Sequence, residues 1–313
     1  MTQDSTPKHI AFFRLSALGD VVLAVPMLRA LQKAWPQCKI TWITSSAAYP
    51  LLVGLEKTTG LEGLEFLVIN KPQKIKDYLL LRKLFKQYEF DILIAAQASF
   101  RTNLIYPHIN AKRKIGFDNG RAKDLHSFFV KEQITPADEH LAQGFMGFAK
   151  YLAVETPQKV EDFDFQLYVS EEDKAWALST RRTNNVNEEQ SNKQTKYIAI
   201  NAAASKAERT WKAEHYAKFI DAANKKYDCQ FVLTGGPAAN EIQLAQDIQA
   251  LAKTKIDNLV GKTKHKQMLA LLAEVDCLIA PDTGPAHMAV AMKTPVIGLY
   301  AVARSGLSGP YQN

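Results

Sequence analysis

Short apolar runs alternate with amphipathic runs of helical length along almost the whole chain. Residues 9–15, 39–44, 66–69 and 91–95 read as strands, and 114–117 as a further candidate. Residues 20–35, 75–87 and 139–153 read as helices, with Val21, Val25, Leu28 and Leu31 on one face of the first. The alternation resumes with strands 197–201, 230–234, 258–260, 277–280 and 296–300. Between them lie helices 213–226, 238–252, 266–273 and 285–292. Strands separated by helices of this length return in the same direction, so the chain must form parallel sheets covered by helices. Open sheets of this kind bind ligands beyond the carboxyl ends of their strands, which makes every strand-to-helix loop a candidate site.

The alternation breaks once. Residues 183–196 (TNNVNEEQSNKQTK) are polar and rich in Asn and Gln, which predicts a surface loop. Just before it, Ser170 followed by Glu171, Glu172 and Asp173 reads as a capped helix start. With 313 residues and a prior of about 150 per domain, the expectation is two doubly wound α/β domains, 1–165 and 166–313. Their charge differs. Residues 1–160 hold 21 Lys+Arg against 14 Asp+Glu, whereas residues 161–313 hold 18 of each. Most of the excess lies in 71–131, with 13 basic and 5 acidic residues, so the first domain is expected to meet an anionic partner. Nucleic acid, a phosphorylated glycolipid and an anionic membrane surface all fit that charge.

No apolar run approaches the ~18 residues of a membrane-spanning helix, and the N-terminus lacks the apolar region of a signal peptide. Cys38, Cys229 and Cys277 are far apart, as expected for buried thiols in a reducing compartment, so a cytoplasmic location is expected. Gly261-Lys262-Thr263 resembles the tail of a P-loop, but Ile256 stands where that loop needs glycine. No zinc-spaced cluster and no HExxH, EF-hand or GxSxG motif occurs, and no metal or cofactor is expected. The basic segment carries no recognisable RNA- or DNA-reading motif, so no nucleic-acid partner is expected.

Four loops can carry chemistry. In Arg14-Leu15-Ser16-Ala17-Leu18-Gly19-Asp20, Asp20 falls at a helix start; it is either a helix cap or a general base at the top of the sheet. No G-x-G-x-x-G accompanies it, so this is not a dinucleotide fingerprint. In Asp282-Thr283-Gly284-Pro285-Ala286-His287, a strand ends and a helix begins with proline in its first turn. Such a helix start is either a plain Asp/Thr cap or an anion site suited to a diphosphate. His287 fits a hydrogen-bonded helix histidine as well as a ligand contact. In the loop 201–211, Lys206 and Arg209 are either solvated charges or phosphate partners. In Thr234-Gly235-Gly236-Pro237, the glycines allow a tight turn, and Glu241 beyond them is either a helix-surface residue or a ribose ligand.

Together these loops resemble the family 9 glycosyltransferases, the lipopolysaccharide heptosyltransferases, and among them heptosyltransferase I more than II. The resemblance rests on Ser16-Ala17-Leu18-Gly19-Asp20-Val21 with Pro26, and on Asp282-Thr283-Gly284-Pro285-Ala286-His287 with Ala289, Ala291 and Pro295. It implies a GT-B architecture, two Rossmann-like domains facing a cleft. The first domain would bind the acceptor, Kdo–lipid A, and the second the donor, ADP-heptose. It implies inversion at the anomeric centre without a metal or other cofactor, by an enzyme peripheral on the cytoplasmic face of the inner membrane. Asp20 matches the catalytic base. Asp282, Thr283, Gly284 and His287 match the diphosphate loop, Arg209 stands where the family usually has lysine, and Ser205 falls at a hydroxyl position. Thr263 and Glu241 fall near adenine- and ribose-contacting positions. Gln97 and Arg101 match a D-x-Q-G-x-x-K/R segment whose Asp and Gly are here Ala95 and Ala98. With Arg113 and Arg121 they are the acceptor-site candidates.

Two departures accompany the resemblance. After Leu299-Tyr300 the family commonly has Gly-Pro-Thr, and here the run is Ala301-Val302-Ala303-Arg304-Ser305, so a same-fold transferase with another nucleotide sugar or another acceptor is the alternative. The chain also stops at Asn313, short of the C-terminal helix that GT-B enzymes usually carry, which suggests that the sequence is incomplete or lacks that helix.

Overall fold

The computed structural model describes residues 6–184 and 195–311. The greater part of the polar stretch 183–196 lies outside the described residues. The chain divides into two compact units, Met1–Asp164 and Phe165–Asn313.

The N-terminal unit runs β1 (His9–Phe13), α1 (Leu18–Leu23), α2 (Val25–Ala34), β2 (Lys39–Ser45), α3 (Tyr49–Leu52), β3 (Leu64–Ile69) and α4 (Ile75–Phe85). It continues with β4 (Phe90–Ala95), α5 (Phe100–Asn103), β5 (Ala111–Gly116), α6 (His126–Phe129), β6 (Glu132–Gln133) and α7 (Leu141–Tyr151). Its six strands form one parallel sheet in the order β3-β2-β1-β4-β5-β6. The central strand is apolar on both faces because helices cover both. Ile10, Ala11, Phe12 and Phe13 are all fully buried, and so is Trp42, whose ring meets that of Phe12 edge-on at 5.0 Å. Burying each such aromatic side chain contributes about 1.5–3 kcal/mol. A second aromatic contact, Phe13 to Tyr106 at 5.1 Å, lies in the core cluster that also holds Leu81 and Phe85 of α4.

The C-terminal unit runs α8 (Glu171–Asn184), β7 (Lys196–Asn201), α9 (Ala213–Tyr227), β8 (Cys229–Thr234), α10 (Ala239–Leu251) and β9 (Ile256–Asn258). It ends with α11 (His265–Glu274), β10 (Cys277–Pro281), α12 (Gly284–Ala291), β11 (Val296–Leu299) and α13 (Ser305–Ser308). Its sheet is also all parallel, in the order β11-β10-β7-β8-β9. The expected cap of α8 is present: Ser170 Oγ accepts from the Asp173 amide at 3.1 Å.

The doubly wound α/β class expected from the alternation is therefore what the chain adopts, with local differences. The helix expected over 20–35 is two helices parted at Ala24, because Pro26 has no N–H and its ring excludes the carbonyl one turn before it. The last large strand starts at Ala111 rather than at 114, through a charged stretch (Ala-Lys-Arg-Lys) with no apolar signature. The four-residue helices and the two-residue β6 are too short to leave a periodicity in sequence.

Candidate active site

In each sheet the strand order reverses beside the first strand, β1 with neighbours β2 and β4, and β7 with neighbours β8 and β10. At such a point successive connections leave on opposite faces of the sheet and open a crevice at the carboxyl ends of the strands. The sequence-predicted residues fall largely at these two places.

In the N-terminal domain the turn after β1 is held from three sides. Trp42 Nε1 donates to the Arg14 carbonyl at 3.1 Å, and Ser45 Oγ donates to the Leu15 carbonyl at 2.6 Å. From β4, the buried Gln97 accepts from the Leu15 amide through Oε1 at 2.8 Å and lies 3.5 Å from Ser16 Oγ through Nε2. Gln97 is itself fixed through its carbonyl, which accepts from Tyr106 Oη at 2.5 Å. Gln97 therefore positions the turn. The Ser16–Ala17 peptide in it is cis.

Asp20 sits in the first turn of α1, whose cap residue is Ala17. Its Oδ2 accepts from the Ala17 amide at 3.1 Å and pairs with Arg14 Nη2. Oδ1 takes part in neither bond. The other terminal nitrogen of Arg14 donates to the Ala96 carbonyl at 2.6 Å, and the guanidinium lies 5.3 Å from the Phe145 ring centroid. Arg14 thus joins the loops after β1 and β4 to α7 and aims the Asp20 carboxylate.

Lys71, just past β3, donates to Ser16 Oγ at 2.7 Å. Partial burial, and then the like charges of Arg14 and Arg101, hold its ammonium below the usual lysine range. Arg14 and Lys71 thus meet at the Ser16 turn, with Arg101 within electrostatic reach of Lys71, an arrangement that favours an anionic ligand. The other two arginines in the predicted set are placed differently. Arg113 lies mid-strand in β5 and grips Glu132 through Nε at 3.1 Å and Nη2 at 2.6 Å. Arg121 pairs with Asp118 and with Glu139 at 3.1 Å, and donates to the Thr135 carbonyl at 2.8 Å. Both are neutralised by carboxylates of their own domain, whereas Arg101 forms no ion pair among the described residues.

In the C-terminal domain, Arg209 from the loop after β7 pairs with Asp282 after β10, Nη1 to Oδ2, at 2.6 Å. The pair spans the reversal of that sheet. Thr283 caps α12 with extended backbone, but its side chain makes no capping bond. Thr283 Oγ1 is shielded from solvent and has no hydrogen-bond partner among the described residues. Gly284 opens the helix and Pro285, with no N–H of its own, follows. The first-turn amides of a helix have no partner within it, and the helix dipole places positive charge there. An anion thus finds an amide, a hydroxyl and a guanidinium together. His287 lies buried one turn further on.

The remaining predicted residues surround this point from other strand ends. Ser205 is exposed in the loop after β7, which closes by an Ala204 amide bond to Thr210 Oγ1 at 3.0 Å. Glu241 accepts from the Gly236 amide at 2.6 Å, so it closes the two-glycine turn after β8. A Cβ on Gly235 would lie 2.8 Å from a Glu241 oxygen, so any larger residue there would displace the Glu241 carboxylate. Thr263 is half-buried in the loop after β9.

Three residues were missed by sequence reasoning as site candidates: Arg14, Lys71 and Tyr300. Burial, and then the charge of Asp282, raise the Tyr300 phenol above its usual range, so it lies within electrostatic reach of the Arg209–Asp282 pair, and its hydroxyl donates to the Ser308 carbonyl at 3.2 Å. Lys71 and Tyr300 immediately follow or closely follow the carboxyl ends of β3 and β11, and that position is the signal that would have found them. Among the described residues no group of three His, Cys, Asp or Glu side chains is placed to hold a metal ion, and no helix is long and apolar enough to cross a membrane.

Residues 78–313 match the model of glycosyltransferase family 9 (heptosyltransferase). Over 311 residues the chain is 33% identical to the lipopolysaccharide core heptosyltransferase OpsX of Haemophilus influenzae, covering 98% of this chain and 83% of that protein. A family 9 glycosyltransferase from Veillonella parvula superposes with a TM-score of 0.81 at 22% identity, covering 97% of this chain and 85% of the other. The E. coli heptosyltransferase WaaC, solved with ADP, superposes with a TM-score of 0.73 at 20% identity, covering 97% and 90%. These likenesses agree with two all-parallel Rossmann-like domains and place the fold in the GT-B class. The chain belongs to glycosyltransferase family 9, the heptosyltransferases, and is a glycosyltransferase.

Proposed function

We propose that this enzyme moves a heptose from ADP-heptose to the Kdo–lipid A inner core of lipopolysaccharide, with inversion and with countercharge drawn from its own groups rather than a metal. The N-terminal domain takes the acceptor and the C-terminal domain the donor. The observation that carries this reading is the division of labour within Asp20: Oδ2 is engaged by Arg14 and Ala17, and Oδ1 is left for a proton, in a loop whose Ser16 accepts from Lys71.

In this mechanism the acceptor hydroxyl gives its proton to Asp20 Oδ1 as its oxygen attacks the anomeric carbon. The bond from that carbon to the diphosphate oxygen breaks, and ADP departs with the electron pair. Arg209, the Gly284 amide and the Thr283 hydroxyl take up the charge that develops on the diphosphate. Ser205, Glu241, Thr263 and His287 shape the nucleotide site, and Asp282 holds Arg209 in place. Lys71 and Arg101 hold the acceptor's phosphate or carboxylate groups; Gln97 acts through the turn, and Arg113 and Arg121 through the fold around it. The ADP found on WaaC supports the donor class, and the OpsX relative supports the lipopolysaccharide core as acceptor. The enzyme works in the cytoplasm, peripheral on the inner membrane.

The test is a panel of ADP- and UDP-sugars offered with Kdo–lipid A and with its deacylated form, read by mass spectrometry. The expected result is one added heptose from ADP-heptose. Preference for a UDP-sugar, or transfer only to an acceptor lacking Kdo, overturns the donor or the acceptor assignment respectively.

A further inference from the structure

Helix α4 buries one side and leaves an unusual other side. Leu81 and Phe85 enter the core, whereas Ile75 is 82% exposed, Leu80 is 64% exposed and Leu79 is also exposed. Single exposed apolar residues are ordinary, but these continue onto neighbouring elements. Tyr78 of α4 donates to the Arg101 carbonyl of α5 at 3.2 Å. The Phe100 amide of α5 donates to Asp124 at 2.9 Å, and the Asn103 side chain donates to the carbonyls of Lys123 and Asp124 at 3.1 and 2.8 Å. On these linked elements Phe100 is exposed, Leu125 is 70% exposed and Phe128 is 82% exposed. Leu125 stands outward from a backbone at φ +62°, a left-handed conformation unfavourable for a leucine. Six large apolar side chains thus stand outward along one contiguous α4–α5–α6 edge, past the carboxyl ends of β3, β4 and β5.

The same edge is basic. Lys76 and Lys83 are exposed on α4, Lys86 is exposed at its C-terminal cap, and Lys123 is exposed in the segment before α6. None of the four forms an ion pair within 4.0 Å among the described residues. Apolar groups interspersed with uncompensated lysines on long flexible stems match the interface of an anionic bilayer. There the rings and leucines enter the acyl boundary and the ammonium groups stay among the phosphates. A folded protein partner would have to desolvate those ammonium groups or supply a carboxylate for each.

We infer that the α4–α5–α6 edge is the surface by which the N-terminal domain docks on an anionic phospholipid bilayer. The inference rests on the glycolipid-acceptor reading for its purpose, since docking by this edge brings the end of the sheet that carries Asp20 to the membrane surface.

The experiment is flotation of the full chain with vesicles of phosphatidylethanolamine containing about 30% phosphatidylglycerol, against vesicles of phosphatidylcholine alone. The Leu79→Glu/Leu80→Glu variant is expected to lose about tenfold or more of its bound fraction, and Phe128→Glu a smaller part. Lys76→Gln/Lys83→Gln is expected to weaken binding to anionic vesicles and to flatten its salt dependence. All these positions are on the surface, so the circular dichroism melt should match the parent protein. Transfer to acceptor embedded in vesicles should fall with binding, while transfer to the deacylated acceptor should not change. If the protein floats by this edge but transfers heptose to neither acceptor, docking stands and the glycolipid reading fails. If the protein ignores anionic vesicles, or Leu79→Glu/Leu80→Glu floats as well as the parent, docking is overturned while the transferase reading is untouched. If that variant instead turns a soluble dimer into a monomer without altering flotation, the edge is an interface between copies and the proposal falls.

Discussion

Beside β1 most polar groups around Asp20 are paired within the domain: Arg14 with Asp20 and the Ala96 carbonyl, Gln97 with the Leu15 amide, Ser45 with the Leu15 carbonyl; the shielded Arg14 Nε has no hydrogen-bond partner among the described residues. Beside β10 fewer of the corresponding groups are. Among the described residues Thr283 Oγ1 is shielded and without a partner, α12 opens without a side-chain cap, and Asp282 is the one carboxylate that pairs with Arg209. On the proposed mechanism the first arrangement aims its carboxylate before anything binds, so that little reorganisation would be needed during reaction. The second keeps hydrogen-bonding capacity in reserve, at the standing cost of an unsatisfied hydroxyl, which a bound diphosphate would relieve.

That contrast can be broken most directly at Asp20. Asp20→Asn keeps the shape of the residue but removes the proton acceptor, and turnover should fall about 10²–10⁴-fold. ADP affinity measured by calorimetry should stay unchanged; near-normal turnover would remove Asp20 from the role of base. The next largest effect is on stability. Arg14→Met strands the Asp20 carboxylate and the Ala96 carbonyl, and urea unfolding should show a loss of about 3 kcal/mol. The parallel change at the other switch point, Arg209→Met, breaks a pair of similar burial but, among the described residues, no second bond to a backbone carbonyl, and should cost less, on the order of 2 kcal/mol, with a clear loss of ADP affinity. A larger stability loss at Arg209 than at Arg14 would invert the comparison.

A third measurement asks whether the pre-paired domain is also the acid-sensitive one. Burial holds the His126 imidazole at about 4, against an ordinary 6.5. Its Nδ1 is 2.8 Å from Asn103 Oδ1 and the ring is packed beneath Gly116. Between those two values the unfolded chain binds a proton that the folded one does not. Stability therefore rises with pH from about 4 to 6.5 and is lost as pH falls through that window, by on the order of 2 kcal/mol. His126→Gln, which keeps a hydrogen-bonding group but does not titrate there, should flatten that slope in unfolding curves followed by domain-specific hydrogen exchange. The smallest effect is expected at Thr283. Thr283→Val removes a hydroxyl with no partner, so the melting temperature should stay level or rise slightly, while ADP binds more weakly. A clear loss of stability would mean that the hydroxyl is already satisfied in the free protein.

Much of this was legible in sequence, for a physical reason. Asp20, Arg209 and Asp282-Thr283-Gly284 each lie in the connection from a strand to the next helix or in that helix's first turn, and in a doubly wound sheet that position puts a residue at the binding end. What was not legible depends on contacts between distant segments. Lys71 reaches Ser16 across 55 positions, and Gln97 reaches Leu15 across 82. Charge counting also cannot separate an available arginine from a neutralised one. Arg101, Arg113 and Arg121 look alike in the chain, yet Glu132, Asp118 and Glu139 claim the last two. Helix α4 shows a related limit: its pattern predicts a helix correctly, but only the packing shows that Leu81 and Phe85 fill the core while Ile75, Leu79 and Leu80 do not.

The placement of β1 at the middle of its sheet has a consequence for how the enzyme is made. Its two neighbours come from residues 39–45 and 90–95, so the strand that leads into the Asp20 turn gains its second partner only after β4 has left the ribosome. Gln97 and Ala96, which clamp that turn, follow β4 directly. Long-range parallel pairings form slowly because loop closure must precede the contacts that reward it. During synthesis, then, Asp20 acquires its final orientation as a late event, after the first helices and the β1–β2–β3 half of the sheet are available to receive it.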